Sequence, residues 1–158
     1  MLFRSWQKIN TEPVCFGARG NQYGSFYITK SGHLKTMKLV HKSGWLKCND
    51  DDPASYWGRT HEAGYGNNAL MTIITNSDEN AVLPPARDLQ ASDVNINHFY
   101  TLDGTTHNSP ELVFRDLPNQ LSVSRSQELQ IWYGQDWIDC SELHNNGKTC
   151  VDVYALYA

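Results

Sequence analysis

Cys150-Val-Asp-Val-Tyr-Ala-Leu-Tyr-Ala158 places valine, valine, alanine and tyrosine at every second position from 151 to 157. The run Leu129-Gln-Ile-Trp-Tyr133 has the same period, with glutamine and tryptophan between its leucine, isoleucine and tyrosine. A period of two is typical of a β-strand that buries one face. The two runs therefore predict two strands, joined by a polar segment that begins at Gln135 and is rich in carboxylates and amides. Because polar segments held at strand ends often carry function, this one favours a recognition surface.

Short β-like segments, punctuated by Gly, Pro, Asn, Asp and Ser, recur along the rest of the chain. They cover residues 26–29, 34–41, 45–48, 69–75, 81–83, 94–100, 111–115 and 121–125. We expect Ser43-Gly44 to be the tight turn of a hairpin, the run 69–75 to be buried on both faces, and 85–91 to contain a helical turn. Many short strands with few helix signals indicate a sandwich or a closed barrel. Of these we favour an all-β fold: a single-domain antiparallel β-sandwich over residues 1–158, jelly-roll-like, with few or no helices.

The composition excludes several classes of function. The chain has 158 residues, of which 40% are hydrophobic and 19% charged, as in a globular domain. Its net charge of −4 argues against non-specific nucleic-acid binding, which needs a basic face. No apolar stretch approaches the roughly 20 residues that a spanning helix requires, so we expect no membrane insertion.

Cysteine usage indicates an oxidising compartment. The four cysteines, Cys15, Cys48, Cys140 and Cys150, are even in number, and none shows the C-x-x-C spacing of a zinc or redox site. Two disulfides are therefore expected, and the sequence allows three pairings. The short segment between them favours Cys140–Cys150, which leaves Cys15–Cys48. We expect a secreted, extracellular protein, present here as a mature form because the first residues lack the apolar core of a signal peptide.

Six segments of the chain carry a resemblance to known proteins. They are Met37-Lys-Leu-Val-His-Lys-Ser-Gly44, Ala69-Leu-Met-Thr-Ile-Ile-Thr-Asn76, Leu83-Pro-Pro85, Ser109-Pro-Glu-Leu-Val-Phe114, Ile131-Trp-Tyr-Gly-Gln-Asp136 and Cys150-Val-Asp-Val-Tyr154. Together they resemble a domain common in secreted proteins of corals and sea anemones. The resemblance covers most of the chain and implies a lectin or a matrix adhesion module. The chain is also similar to the cnidarins, small antiviral proteins of soft corals, which implies a viral envelope glycoprotein as ligand.

Two segments combine aromatic rings with amides or carboxylates, as carbohydrate recognition requires. An aromatic ring packs against the apolar face of a sugar, while planar polar groups bind neighbouring hydroxyls. The candidate ligand-binding residues are Tyr56, Trp57, Tyr65 and Asn67 in one segment, and Asp136, Trp137, Asn145 and Asn146 in the other. The alternative is that Trp57 and Trp137 are core residues, as tryptophan often is. Trp45 and Trp132 lie within predicted strands, and for them the core interpretation is favoured.

An acidic triplet could supply oxygen ligands to a cation. Asp50, Asp51 and Asp52 are weak candidates for calcium, because they lack the spaced pattern of a calcium loop. A solvated acidic turn is the favoured interpretation, and the same ambiguity holds for Asp136, Asp139 and Glu142 in the second segment. We therefore expect no obligatory cofactor, with calcium as the alternative.

Catalytic signatures are absent from the sequence. It contains no Gly-x-Ser-x-Gly elbow, no glycine-rich phosphate loop and no metalloprotease histidine pair. The favoured hypothesis is a non-enzymatic, lectin-like protein that binds a glycan or a glycoprotein. The alternatives are an extracellular matrix or adhesion module and a small glycoside hydrolase, whose paired carboxylates only a structure can reveal. The sequence leaves the oligomeric state open.

Overall fold

A computed structural model describes residues 4–47, 53–59, 69–91, 97–134 and 145–158. Its described elements are nearly all β-strands, with one 3-10 turn at Ala86–Asp88 inside the predicted helical segment. The strands are β1 (Gln7–Lys8), β2 (Val14–Gly17), β3 (Gly24–Tyr27), β4 (Gly32–Lys47), β5 (Gly58–Arg59), β6 (Ala69–Leu70), β7 (Thr72–Asn76), β8 (Ala81–Leu83), β9 (Gln90–Ala91), β10 (Asn97–Phe99), β11 (Glu111–Val113), β12 (Leu121–Val123), β13 (Glu128–Tyr133) and β14 (Asn146–Tyr157). In the described part of the chain, no helix is long and apolar enough to cross a membrane.

The larger sheet is built on the two longest strands. β14 and β4 pair antiparallel along their lengths, from Asn146 opposite Lys47 to Tyr157 opposite Leu34. β1 and β2 pair with the other edge of β14, and β11 and β12 with the other edge of β4, which makes a six-stranded sheet. A smaller sheet has the order β3-β13-β7-β8, and two strand pairs, β9-β10 and β5-β6, complete the described elements.

The hydrophobic core is lined by the inward faces of both sheets. Along β14 it takes Val151, Val153 and Ala155, and along β13 it takes Leu129 and Ile131, all fully buried. These are the alternating apolar positions of the two sequence runs, so the period of two placed them correctly. The segment expected to be buried on both faces is buried throughout as β6 and β7. The predicted all-β antiparallel sandwich is confirmed.

The hairpin predicted at Ser43-Gly44 is wrong. β4 runs through this point without reversing, because β14 is long enough to pair with residues on both sides of it. Val151 pairs with His41 and Cys150 with Ser43, so Lys42 is an extra residue in a β-bulge. Gly44 has a φ of 79°, and a Cβ there would lie 2.1 Å from the Lys148 carbonyl oxygen. Glycine therefore serves a bulge here and not a turn.

The disulfide pairing predicted from spacing is also wrong. Cys150 is bonded to Cys15, and not to Cys140, so the Cys15–Cys48 pairing fails as well. The reason is the strand register: β2 pairs with the interior of β14 and places Cys15 directly opposite Cys150, with Cα atoms 4.0 Å apart. Cys48 and Cys140 lie outside the described residues.

Candidate functional site

The two predicted binding segments meet at one end of the six-stranded sheet. Leu46, near the end of β4, pairs with Ser55 through two backbone hydrogen bonds of 2.6 and 2.9 Å. On its other side Leu46 is opposite Gly147, near the start of β14. Tyr56 follows Ser55 in the chain, and Asn146 precedes Gly147. The structure therefore brings both predicted segments to the same end of β4.

Trp57 follows the core alternative and not the ligand-binding one. Its side chain is 0% exposed, and its indole Nε1 donates a 2.6 Å hydrogen bond to the Ser109 carbonyl. The loop before β11 covers it, because the His107 carbonyl accepts the backbone N–H groups of both Tyr56 and Trp57 at 3.0 Å. Trp57 is therefore a core residue that anchors its segment, and it has no face to offer a sugar.

Tyr56 is partly exposed, but one face of its ring is occupied. The ring stacks on His41 with 3.5 Å between centroids and 10° between planes. Its carbonyl accepts a hydrogen bond of 3.1 Å from the Thr149 hydroxyl, which ties the segment to β14. Only the opposite face and the rim of Tyr56 remain for a ligand.

The two predicted amides have different roles. Asn145 is buried and donates from Nδ2 to the Ala18 carbonyl at 3.0 Å, so it holds the start of β14 against the loop after β2. Its Oδ1 is buried without a hydrogen-bond partner among the described residues. Asn146 is exposed at the strand end. Of these two amides, only Asn146 stands ready for an external ligand.

The other predicted site residues lie outside the described part of the chain. They are Tyr65, Asn67, Asp136 and Trp137, together with the cation candidates Asp50, Asp51 and Asp52. Within the ranges that the structure describes, no group of three or more His, Cys, Asp or Glu side chains is placed to hold a metal ion.

Trp45 is an exposed indole that sequence reasoning missed. The prediction of a core position is wrong: the side chain is 40% exposed, whereas its neighbour Leu46 is fully buried. The bulge at Lys42 explains why Trp45 lies on the outer face of the sheet. One extra residue at that point reverses the face that the side chains after it occupy. The sequence signal is the Lys-Ser-Gly run that precedes Trp45, which fits a bulge as well as a turn.

The surroundings of Trp45 fix the ring against the sheet. The indole lies over Gly147, where a Cβ would come within 2.7 Å of Cε3 and 2.8 Å of Cζ3. The ammonium of Lys47 is 5.3 Å from a ring centroid of the indole, and Lys148 is the direct cross-strand partner of Trp45. Asn146, opposite Lys47, adds an exposed amide. The site thus combines a supported aromatic face with an amide and two cations.

A second exposed aromatic surface lies on the outer face of the smaller sheet. Tyr27 is 57% exposed, and Tyr23 packs on the buried Trp132 with 4.7 Å between ring centroids. Trp132 is buried as the sequence predicted. Glu128 accepts hydrogen bonds from Ser25 at 2.9 Å and from the Gln130 amide at 3.0 Å, so its carboxylate is already engaged. This polar network organises the sheet face, and Tyr27 is more exposed there than Tyr23, at 57% against 39%.

His107 is the buried centre of the loop that covers Trp57. Burial lowers the pKa of its imidazole from the usual value of 6.5, because the charged form is poorly solvated there. Its Nδ1 is buried and has no hydrogen-bond partner among the described residues. Near neutral pH this lowered pKa favours the uncharged imidazole.

Comparisons with known proteins relate the chain to one solved structure. Models of known protein families give no match, and neither do curated protein sequences. Among solved structures, the lectin AJLec from the sea anemone Anthopleura japonica matches with a TM-score of 0.85 and 33% sequence identity. The match covers 98% of this chain and 98% of AJLec, so the whole fold is shared. The chain belongs to the same protein family as the sea anemone lectin AJLec.

Proposed function

We propose that the protein is an extracellular lectin that binds glycans, free or on glycoproteins, without catalysing a reaction on them. The observation that carries this proposal is the full-length likeness to a sea anemone lectin. An extracellular setting is supported by the same likeness and by the Cys15–Cys150 disulfide, since such bonds persist in oxidising compartments.

Trp45 is the ring that we assign to sugar binding in the described part of the chain. An indole offers a broad apolar face with a negative quadrupole, which suits the C–H face of a pyranose. The support from Gly147 reduces the entropy that the ring would lose on binding. Hydrogen bonds to hydroxyls would come from the Asn146 amide and the Lys148 ammonium beside it.

A glycan array with two matched variants tests the proposal. Trp45→Ala and Tyr27→Ala each remove one exposed aromatic ring, at the proposed site and on the smaller sheet respectively. We expect the wild-type protein to bind a defined subset of glycans, Trp45→Ala to lose at least tenfold in affinity, and Tyr27→Ala to stay within twofold. Thermal melts check that both variants are folded. No glycan binding by the wild-type protein contradicts the function, and a greater loss with Tyr27→Ala moves the site to the smaller sheet.

Calcium is tested in the same experiment. Each array is run in a calcium buffer and in EDTA. We expect binding in both, because the Asp50–Asp52 triplet lacks the spacing of a calcium loop. Loss of binding in EDTA contradicts this expectation and makes a calcium ion part of the lectin site.

Antiviral activity is the finer proposal, and it rests on the resemblance to the cnidarins. A heavily glycosylated viral envelope protein would present many copies of a glycan, and a lectin with two or more linked sites would gain apparent affinity from them. Binding to such a glycoprotein before and after enzymatic removal of its glycans provides the test. Equal binding to both forms would mean that protein surface is recognised, and not glycan.

A further inference from the structure

The outward face of the six-stranded sheet carries a concentration of lysines. Along β14 the side chains of Val151, Val153 and Ala155 are buried in the core. Because side chains alternate along a strand, the even-numbered Lys148, Asp152 and Tyr154 occupy the opposite face. Residues paired directly across neighbouring strands share a face with them. The lysines on this face are Lys8, Lys38, Lys42, Lys47 and Lys148, which we call the lysine face. They are five of the seven lysines in the chain.

Strand register fixes the positions of four of these lysines. Lys8 on β1 and Lys38 on β4 are the two cross-strand partners of Tyr154, so they flank it in one row. Lys148 is opposite Trp45, and Lys47 is two residues beyond Trp45 on the same strand. Lysines therefore alternate with aromatic rings across the face. The ammonium of Lys38 is 5.3 Å from the Tyr154 ring centroid, a distance typical of a cation–π contact.

Asp152 holds two of the lysines without neutralising them. One oxygen of this largely buried carboxylate accepts a 2.8 Å hydrogen bond from Asn10. The other lies 3.6 Å from Lys8 Nζ and 3.8 Å from Lys42 Nζ, so two ammonium groups share a single oxygen. Both lysine side chains stay about half exposed, at 45% and 50%. Each ammonium has three donors, so a single shared oxygen leaves donors on both for a further partner.

The charge balance of this face is opposite to that of the whole protein. Among the described residues of the six strands, the carboxylates are Asp152 and Glu111, and Glu111 is 3.3 Å from Lys38. Five lysines against two carboxylates leave an excess of three positive charges, although the chain has a net charge of −4. A positive field confined to one face attracts an anionic partner.

The shape of the face favours an extended partner over a single ion. From Lys148 to Tyr154 along β14 the face spans about 20 Å, at roughly 3.4 Å per residue. Across β1, β14 and β4 it is about 10 Å wide, at roughly 4.8 Å per strand spacing. The aromatic rings of Trp45 and Tyr154 between the cations suit the apolar faces of sugar rings.

We propose that the lysine face binds an anionic polysaccharide through sulfate or carboxylate groups along its chain. This proposal rests on the proposed lectin function and extends it to a second, charged class of glycan. The charged glycan would bind along the lysine face, beyond the site at Trp45. Binding driven by several ammonium contacts weakens steeply as salt rises, because salt screens exposed charges. Neutral glycans bound at Trp45 would show little dependence on salt.

Two double variants with equal net charge test the proposal on the full chain. Lys8→Gln/Lys42→Gln removes two charges from the lysine face without touching the site at Trp45, and Lys30→Gln/Lys35→Gln removes the two lysines that line a groove at the other end of the sheet. With immobilised heparin as the probe, we expect about tenfold weaker binding for the first and less than twofold for the second. The salt dependence of the first variant should also be lower, since fewer charges are engaged. Equal losses in the two variants, or no heparin binding at all, would overturn the proposal.

Three further measurements identify the occupant. Hyaluronan, which has carboxylates and no sulfate, separates the two chemical groups, and binding of either polymer through the lysine face supports the proposal. Duplex DNA bound as tightly as heparin would overturn it, because the face would then be a general polyanion site. Sedimentation velocity would overturn it if the first double variant alone dissociated a dimer, since a second copy would then cover the face. Neutral glycan binding is measured on the same variants, so its retention separates failure here from failure of the lectin function.

Discussion

The indole of Trp45 lies against Gly147, and the missing Cβ of that glycine makes the contact possible. A Cβ at Gly147 would lie 2.3 Å from the Trp45 carbonyl oxygen and 2.7 Å from Cε3. The backbone φ of 95° is also one that L side chains rarely adopt. Two features of one residue, its conformation and its lack of a side chain, therefore place the exposed ring.

Substitution of Gly147 should cost more than backbone strain alone. We expect Gly147→Ala to lower the free energy of unfolding by about 2–4 kcal/mol, as strain at positive φ and overpacking combine. Gly104→Ala is the matched control, because Gly104 has a φ of 77° but no atom within 4 Å of its would-be Cβ. The control should lose only about 1 kcal/mol in urea denaturation. Equal losses would show that the ring contact is not tight.

The Cys15–Cys150 disulfide should be a large contributor to stability. It links residues separated by 135 positions, and a long closed loop restricts the unfolded chain strongly. We expect Cys15→Ser to lower the free energy of unfolding by about 2–5 kcal/mol, and Cys15→Ser/Cys150→Ser to behave alike. Peptide mapping without reductant should recover a fragment joining the two cysteines. A fragment joining Cys140 to Cys150 would contradict the structure.

The sandwich could be predicted from the sequence because the information is local. The alternation of apolar residues from 151 to 157 is visible from neighbouring residues alone, and this segment lies in β14. Register is not local in this sense: the partner of Cys150 depends on where β2 lies along β14, more than 130 positions away. One extra residue at Lys42 then reverses the face of Trp45. The sequence therefore predicts strand pairing and side-chain exposure poorly where strands distant in sequence meet.

The same substitution should cost much more stability at Trp57 than at Trp45. Trp57→Phe removes the hydrogen bond from Nε1 to Ser109 and leaves a void in the core, so we expect a loss of about 2–4 kcal/mol in stability. Trp45→Phe changes an exposed ring and should cost less than about 0.5 kcal/mol. Chemical denaturation of both variants measures the difference. A stability loss for Trp45→Phe as large as that for Trp57→Phe would contradict the assignment of Trp45 to the surface.

The distribution of charge could not be read from the composition. A net charge of −4 argued against a basic face, yet one forms because lysines from β1, β4 and β14 converge on one side of a sheet. Lys8, Lys42 and Lys148 are far apart in sequence, and the strand order alone brings them together. The net charge describes the electrostatic potential averaged over the whole surface, whereas a binding partner responds to the potential at the face that it contacts.

Acid should weaken the fold through His107. The lowered pKa means that the folded state binds a proton less readily than the unfolded chain, whose histidine pKa is about 6.5. Stability is then highest above pH 6.5 and falls as the pH drops from there toward the lower folded pKa, because protonation favours the unfolded state. We expect wild-type stability to decrease more between pH 7 and pH 5 than that of His107→Gln, which cannot titrate. Denaturation midpoints of both proteins across this range give the comparison, and subtracting the two profiles removes the contribution of the other histidines. Parallel profiles would show that His107 titrates alike in the folded and unfolded states, and that the loop over Trp57 is not the acid-sensitive part of the fold.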